Sequence, residues 1–309
     1  MNGPGGHSQR GSHRLSTAPI CPRMHYFRWN LGLKPREEPI YFTEGTVAHI
    51  ALAYYRANQM HLRGMKVPDW FYERTMLDCL HEAGRGKPDT IRLGLSILNA
   101  YAQYYEGNDP WEPIAIEEEF FATLGEIRRL INPYAPPQPD DAERFSARID
   151  LLVRYNGFLW ATDYKTTKGQ HGKLGPFNYE GEHTLSFQFL VQTAILRARF
   201  GAEFRGVIVE RIFKSEPHDF GRTPVPIHAQ MFRDLPDTLA MCAQRERELE
   251  QLRTQAAASG ADMNFWLPPG AFWACYAGGR ACDYKALCVS ETLAQRNETV
   301  VREYLKTVG

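Results

Sequence analysis

The sequence has no excess of charge of either sign, because 36 Lys and Arg residues balance 36 Asp and Glu residues. A positive field over the whole molecule is therefore excluded, and any nucleic-acid surface must be a local patch. No apolar run approaches the roughly 20 residues of a membrane-spanning helix, so no membrane partner is expected. Residues 1–15 lack the apolar segment of a secretory signal, which predicts a flexible tail and a cytoplasmic protein.

Cysteine is also scarce and unevenly placed. Of six cysteines in the chain, Cys21 lies near the N-terminus, while Cys275, Cys282 and Cys288 form a C-x6-C-x5-C group near the C-terminus. Without an export signal, thiolate ligands are favoured over disulfides. Structural zinc is one metal that such thiolates could bind, although it prefers closely spaced ligand pairs that are missing here. The alternative to a metal site is that these cysteines are unrelated buried thiols.

The segment 145–165 carries the sequence pattern of a tight β-hairpin. Two runs rich in β-branched and aromatic residues are joined by Asn156 and Gly157. Asn-Gly between such runs is the strongest short-range signal for a two-residue hairpin loop. This loop would pair Tyr155 with Phe158 and fix the register of both strands.

The predicted register puts two aspartates face to face. Counting outward from the turn brings Asp150 opposite Asp163, where Cβ atoms would lie roughly 4.5–5.5 Å apart and like charges destabilise each other. Lys165 lies two residues past Asp163 and therefore projects from the same face. Two carboxylates and an ammonium suit a divalent cation, so this face predicts a metal site. The alternative is a surface hairpin on which Arg148 neutralises Asp150.

Alternation along the hairpin assigns its opposite face to the protein core. A slip by one residue would expose this whole apolar set, so the register should be well specified. The predicted core-facing residues are Ile149, Leu151, Val153, Tyr155, Phe158, Trp160 and Thr162.

The remaining pattern predicts helices and strands in mixed order. Helices are expected at residues 45–60, 69–83, 89–106, 186–201 and 229–257, and strands at 114–124 and 205–213. Thr46 would cap the first helix. In the strand 114–124, Glu117–Glu119 are expected to be solvated carboxylates at a strand edge, an extra metal ligand being the alternative.

The order of helices, then strands, then helix and strand indicates a mixed α/β domain with helices flanking a central sheet. No internal repeat or domain linker is evident in the chain. We expect a single domain over residues 16–295. It would include a helical insertion at about 50–110 and the cysteine group at 275–288, with a C-terminal tail at 296–309.

Four segments in this order resemble a known family. They are CPRMHYFRW at 21–29, GTVAH at 45–49, RID…DYKT at 148–166 and CYAGGRACDYKALC at 275–288. The chain resembles the PD-(D/E)XK nuclease superfamily, and within it the RecB/AddB-like and CRISPR-associated exonucleases that carry an iron–sulfur cluster. The resemblance extends from residue 16 to 290 and implies a restriction-endonuclease-like fold with a mixed central sheet.

The resemblance also implies a metal centre. In that family a histidine and two acidic residues bind Mg²⁺ or Mn²⁺, and they correspond here to His49, Asp150 and Asp163. The backbone carbonyl of Tyr164 is a further implied ligand. Mg²⁺ prefers oxygen ligands, and one imidazole among them favours tolerance of Mn²⁺.

The implied catalytic residues are Asp150, Asp163, Lys165 and a glutamine on the following helix. Lysine in this position helps to orient or activate the attacking water. Gln188 is the better candidate for the glutamine, with Gln192 as the alternative.

By the same resemblance, Cys21, Cys275, Cys282 and Cys288 would hold a [4Fe–4S] cluster that joins the N- and C-terminal segments. The spacing between Cys275 and Cys282 is longer than is usual in the family. The implied activity is a metal-dependent DNA exonuclease in recombination, repair or phage DNA processing. It would act on single-stranded DNA or duplex ends, and a helicase or recombination protein is an implied partner. The alternatives are a non-catalytic iron–sulfur DNA-end-binding module and a zinc-binding interaction protein.

Overall fold

The computed structural model describes residues 8, 10–36, 40–167, 186–260, 267, 282–290 and 293–306. The chain forms two compact units. Unit 1 comprises Met1–Gly11 and Pro39–Leu235, and unit 2 comprises Ser12–Glu38 and Pro236–Gly309. Among the described residues, no helix combines the length and apolarity needed to cross a membrane.

The described elements run as follows. The helices are α1 (Ser12–Ile20), α2 (Pro22–His25), α3 (Ile40–Leu62), α4 (Trp70–Glu73), α5 (Met76–Ala83), α6 (Pro88–Tyr105), α7 (Leu124–Ile131), α8 (Phe187–Phe200), α9 (Ala229–Ser259), α10 (Lys285–Val289) and α11 (Leu293–Glu303). The strands are β1 (Leu33–Pro35), β2 (Glu112–Thr123), β3 (Arg144–Tyr155), β4 (Phe158–Thr167), β5 (Phe204–Phe213), β6 (Asp219–Val225) and β7 (Tyr304–Lys306).

Unit 1 is built on a five-stranded sheet in the order β2-β3-β4-β5-β6. Neighbouring strands are antiparallel except β4 and β5, which are parallel. Parallel neighbours need a crossover connection, and α8 lies in the connection between these two strands. The predicted mixed sheet with flanking helices is therefore confirmed. The Gly-rich segment 168–181 lies outside the described residues.

The predicted hairpin register is confirmed. Tyr155 pairs with Phe158, and the ladder continues in step to Leu151 and Thr162. Asn156 and Gly157 have φ values of 50° and 80°. Positive φ at both loop positions is the requirement of the type I′ turn that Asn-Gly favours. Local turn chemistry therefore sets this register.

The expectation that only one hairpin face is buried is wrong. Leu152, Leu159 and Ala161, on the face that carries the aspartates, are exposed by only 1%, 3% and 1%. The reason is that β3 and β4 are interior strands of the sheet. Helix α3 contacts both strands, and α8 contacts β3 together with β2 and β5, so each face of the hairpin is covered.

The first predicted helix begins five residues too late. Helix α3 starts at Ile40, so Thr46 is inside the helix, where its hydroxyl donates to the carbonyl of Phe42. A tertiary contact supports the extra turn, because Glu44 pairs with Lys214 at 2.5 Å. The predicted helix 69–83 is divided into α4 and α5, since Thr75 is extended and caps α5 by accepting from the Asp78 N–H.

Unit 2 brings early and late segments of the chain together. Strand β1 pairs antiparallel with β7. The Tyr284 hydroxyl donates to the Leu33 carbonyl at 2.8 Å, and the Arg36 N–H donates to the Glu303 carbonyl at 2.8 Å. The two ends of the sequence are thus joined within this unit by backbone pairing and side-chain hydrogen bonds.

Candidate metal centre

The candidate site lies where two central strands part. The described pairing of β3 with β4 ends at Leu151 and Thr162. Past this point β3 continues along β2, and β4 continues along β5. Asp150 and Asp163 are the first residues beyond the last pair, so both aspartates stand at the fork.

The Asp150 carboxylate occupies the fork itself. Its Oδ2 accepts the backbone N–H of Tyr164 at 2.8 Å, in place of a ladder hydrogen bond from β3. The same oxygen lies 3.4 Å from Nδ1 of His49 on α3. The His49 ring also packs edge-on against the Tyr164 ring, with centroids 5.8 Å apart. Residues from β3, β4 and α3 therefore meet at one carboxylate.

The Asp163 carboxylate is held from the other face of the sheet. Its Oδ1 accepts a hydrogen bond from Nε2 of Gln188, at the start of α8, at 2.8 Å. Its Oδ2 lies 2.7 Å from Nζ of Lys165. Between the two candidate glutamines, Gln188 makes the contact, whereas Oε1 of Gln192 is buried with no hydrogen-bond partner among the described residues.

Glu117 is a third acidic residue at the fork, and the expectation that it is solvated is wrong. It falls in the β2–β3 ladder between the pairs Ile116–Leu151 and Glu118–Ile149, which puts it opposite Asp150. Glu117 is buried and has a positive φ of 50°. Only the register of β2 against β3 reveals this position. Among its neighbours, Glu118 is exposed and Glu119 half-buried.

Arg148 pairs with Glu117, its Nε lying 3.1 Å from Oε2. The alternative in which Arg148 neutralises Asp150 on a surface hairpin fails for two reasons. The hairpin is buried on both faces, and the cation that lowers the pKa of Asp150 most strongly is His49. The acidic residues at the fork are therefore paired with basic residues from several elements.

The charged forms of His49, Asp150 and Lys165 stabilise one another. Burial by itself lowers the pKa of His49, but Asp150, assisted by Asp163 and Glu117, raises it to about 9. Burial raises the pKa of Asp150, but His49, the Tyr164 N–H and Lys165 together hold it below its usual value. For Lys165, burial lowers the pKa, while Asp163 and Asp150 together raise it above its usual value. The site thus concentrates negative charge that the protein's own cations compensate.

The donor set fits a hard divalent ion. Carboxylate oxygens are the ligands that Mg²⁺ prefers, and imidazole suits Mn²⁺ as well. Asp163 Oδ2 is buried, and the Lys165 ammonium lies 2.7 Å from it. Among the described residues, no group of three or more His, Cys, Asp or Glu side chains is arranged to hold an ion. One oxygen of each carboxylate accepts a hydrogen bond from the protein.

The candidate cluster ligands are only partly described. Cys282 and Cys288 pack against a small apolar group in unit 2, and Cys21 caps α2 by accepting the Met24 N–H at 3.5 Å. Met24 packs against the same apolar group. Cys275 lies outside the described residues. The described cysteines form no disulfides, and they are not assembled into a metal-holding group.

Comparison with known proteins gives a family but no well-matched curated relative. A model of the PD-(D/E)XK nuclease superfamily matches residues 12–289. No curated protein has significant sequence similarity to the chain.

Two solved structures show low similarity. One is a candidate exonuclease from Eubacterium rectale, with a TM-score of 0.41 and 10% identity, covering 85% of this chain and 88% of that one. The other, named SSO0001, has a TM-score of 0.27 and 12% identity, covering 63% of this chain and 74% of that one. Neither likeness is high enough to support an argument about the site. The family model spans nearly the whole sequence, including the two aspartates and the lysine at the fork, and the chain therefore belongs to the PD-(D/E)XK nuclease superfamily.

Proposed function

We propose that the protein is a metal-dependent DNA exonuclease of the RecB/AddB-like, iron–sulfur type. His49, Asp150, Asp163 and the Tyr164 carbonyl would hold Mg²⁺ or Mn²⁺, and Lys165 and Gln188 would complete the catalytic group. The observation that carries the proposal is the meeting of His49, Asp150, Asp163 and Lys165 at the fork between β3 and β4. A role in recombination, repair or phage DNA processing is part of the same proposal.

The chemistry follows from the residue types. A bound divalent ion would polarise the scissile phosphate and lower the pKa of a bound water. Lys165 is held beside Asp163, and its ammonium would stabilise the negative charge that grows as water attacks phosphorus. In the overall reaction, water adds to phosphorus while the bond to the leaving sugar oxygen breaks, and that oxygen gains a proton.

Two neighbours would keep the catalytic carboxylates in place. Gln188 donates to Asp163 Oδ1, which leaves Oδ2 directed toward Lys165. The Tyr164 N–H fixes one oxygen of Asp150 beside His49. Such supporting hydrogen bonds orient metal ligands and raise their affinity.

We also propose that Cys21, Cys275, Cys282 and Cys288 hold a [4Fe–4S] cluster in unit 2. Support comes from the placement of Cys282 and Cys288 beside one apolar group and from the link of Cys21 to that group through Met24. A buried, apolar surrounding suits thiolate-bound clusters. Structural zinc is the rival, and metal analysis separates the two.

A non-catalytic DNA-end-binding module is the rival to enzymatic function. Such a module would be expected to have lost a carboxylate or the lysine. All of Asp150, Asp163 and Lys165 are present and grouped, which favours turnover.

The test is cleavage of end-labelled single-stranded and duplex DNA with Mg²⁺, with Mn²⁺ and with EDTA. We expect loss of end-terminal nucleotides with either metal and none with EDTA. Asp163→Asn should abolish cleavage, while Asp89→Asn is the matched control, because Asp89 is 92% exposed on α6. Binding of DNA ends without cleavage in any metal would establish the rival module instead.

A further inference from the structure

Unit 1 also contains a buried network of charged residues outside the candidate site. Arg56 on α3 donates from Nη1 to Asp109 Oδ2 at 2.6 Å and from Nη2 to the Tyr101 hydroxyl at 2.5 Å. The Tyr101 hydroxyl donates to Glu210 Oε2 on β5 at 2.9 Å. Arg222 on β6 closes the network, binding Glu210 Oε1 at 2.9 Å and Asp109 Oδ1 at 2.8 Å.

The network is deeply buried and balanced in charge. Arg56, Tyr101 and Glu210 are each 0% exposed. Two guanidinium groups face two carboxylates, and Arg222 also stacks over the Trp111 ring at 3.4 Å. Burial raises the pKa of Asp109, but Arg222 and Arg56 hold it below its ordinary value. Removal of one partner would leave a buried charge without compensation, so the network holds α3, β5 and β6 in one arrangement.

Arg56 is connected to the candidate site along two routes. It lies seven residues after His49 on α3, which is about two helical turns, so both side chains project from the same face. The second route passes through Tyr164. Tyr164 is buried in the same apolar cluster as Tyr101 and Trp111, and both of those side chains lie against the Arg56 guanidinium.

Tyr164 touches the site on its other side. Its N–H bonds Asp150, and its ring meets the His49 ring edge-on. Its buried hydroxyl and the buried Nε of Arg56 form no hydrogen bond within the described residues. The Tyr164 side chain is therefore placed by packing between His49 and the Arg56 network.

We propose that Arg56 is a positioning residue for the metal centre. Through its network, Arg56 fixes α3 and Tyr164 relative to each other and so sets the spacing of His49 and Asp150 that a divalent ion requires. The inference rests on the proposed function, because it assumes that an ion binds at the fork. Partners of metal ligands that do not themselves touch the metal change its affinity by about 10- to 100-fold.

The test is Arg56→Lys in the full chain, with Mn²⁺ affinity measured by titration calorimetry. Lysine keeps the charge but cannot reproduce the guanidinium fork. We expect the Kd for Mn²⁺ to rise about tenfold and the Mn²⁺ concentration for half-maximal cleavage to rise equally. Saturating Mn²⁺ should restore most of the rate, since the ligands themselves are intact.

A second variant and a control keep the test decisive. Tyr101→Phe removes only the hydroxyl that accepts from Arg56 and donates to Glu210, and it should raise the Kd for Mn²⁺ about threefold. This variant decides the matter if Arg56→Lys does not fold. Arg128→Lys is the control, because Arg128 lies 2.6 Å from both Asp140 and Asp141, at α7. It should lower thermal stability without changing Mn²⁺ affinity.

The outcomes separate the two proposals. Wild-type Mn²⁺ affinity in Tyr101→Phe and in a folded Arg56→Lys would overturn the positioning role while the nuclease proposal stands. A wild-type protein that neither binds Mn²⁺ nor cleaves DNA would overturn both. An equal loss of Mn²⁺ affinity in Arg128→Lys would show a general structural effect and likewise overturn the positioning role.

Discussion

The two units of the molecule differ in how they are held together. Unit 1 has a large apolar core that includes α3, α6 and the central strands. Among the described residues of unit 2, two apolar groups join early and late segments of the chain. One contains Phe27, Leu33, Tyr284, Leu287 and Tyr304, and the other Ala18, Leu249 and Leu267.

The large core of unit 1 accounts for the buried charged residues found there. A large core can support buried charge because surrounding packing fixes each partner, as in the fork and the Arg56 network of unit 1. Metal binding contributes directly to folding free energy. We infer that unit 1 serves catalysis and that unit 2 gains stability from its proposed cluster.

The largest expected effect is a loss of DNA cleavage through a change in unit 1, without a loss of iron from unit 2. Lys165→Met should lower the rate of DNA cleavage by about 10²–10³-fold, because a charge that stabilises the transition state is lost. The iron content should not change. The exposed Lys66 provides the control Lys66→Met. Unaltered cleavage in Lys165→Met would remove this residue from the reaction.

The converse variant is Cys282→Ser. It should lose the iron absorbance and lower the thermal midpoint by about 5 °C or more, because metal binding contributes directly to folding free energy. Iron analysis and calorimetry provide the measurements. Cys242→Ser is the control, since Cys242 is buried on α9 outside the proposed ligand set. Full iron content in Cys282→Ser would contradict the cluster.

A smaller effect tests the third acidic residue at the fork. Glu117→Gln should reduce cleavage about 30-fold at low Mn²⁺, because one of three negative charges near His49 is removed while its shape is kept. The dependence of the rate on Mn²⁺ concentration is the measurement. Glu118→Gln is the control, since Glu118 is exposed. Equal rates for both variants would leave Glu117 as a partner of Arg148 alone.

The smallest effect distinguishes two glutamines on α8. Gln188→Ala removes the hydrogen bond to Asp163 and should lower the cleavage rate about fivefold, equivalent to about 1 kcal/mol. Gln192→Ala should change the rate by less than about twofold, although it should lower stability because Gln192 is buried. Comparison of kcat for the two variants is the measurement. The reverse order would assign the supporting role to Gln192.

Local residues predicted the centre of the fold well. Asn156 and Gly157 specify a two-residue turn, and the hairpin register follows from counting outward. The same register places Asp163 and Lys165 on one face, since side chains alternate along a strand. The burial of both hairpin faces was not predictable, because it depends on α3 and α8, which pack on the sheet from other parts of the chain.

By itself, the sequence determined the features that depend on neighbours in the chain: the turn, the pairing of β3 with β4, and the strand that carries Asp163 and Lys165. The tertiary structure decided which distant residues meet them. It brought His49 to Asp150, placed Glu117 opposite Asp150 and joined Arg56 to Tyr101 in the cluster that buries Tyr164. These contacts depend on how helices pack on the sheet and how β2 aligns with β3, and no local pattern in the chain encodes that alignment.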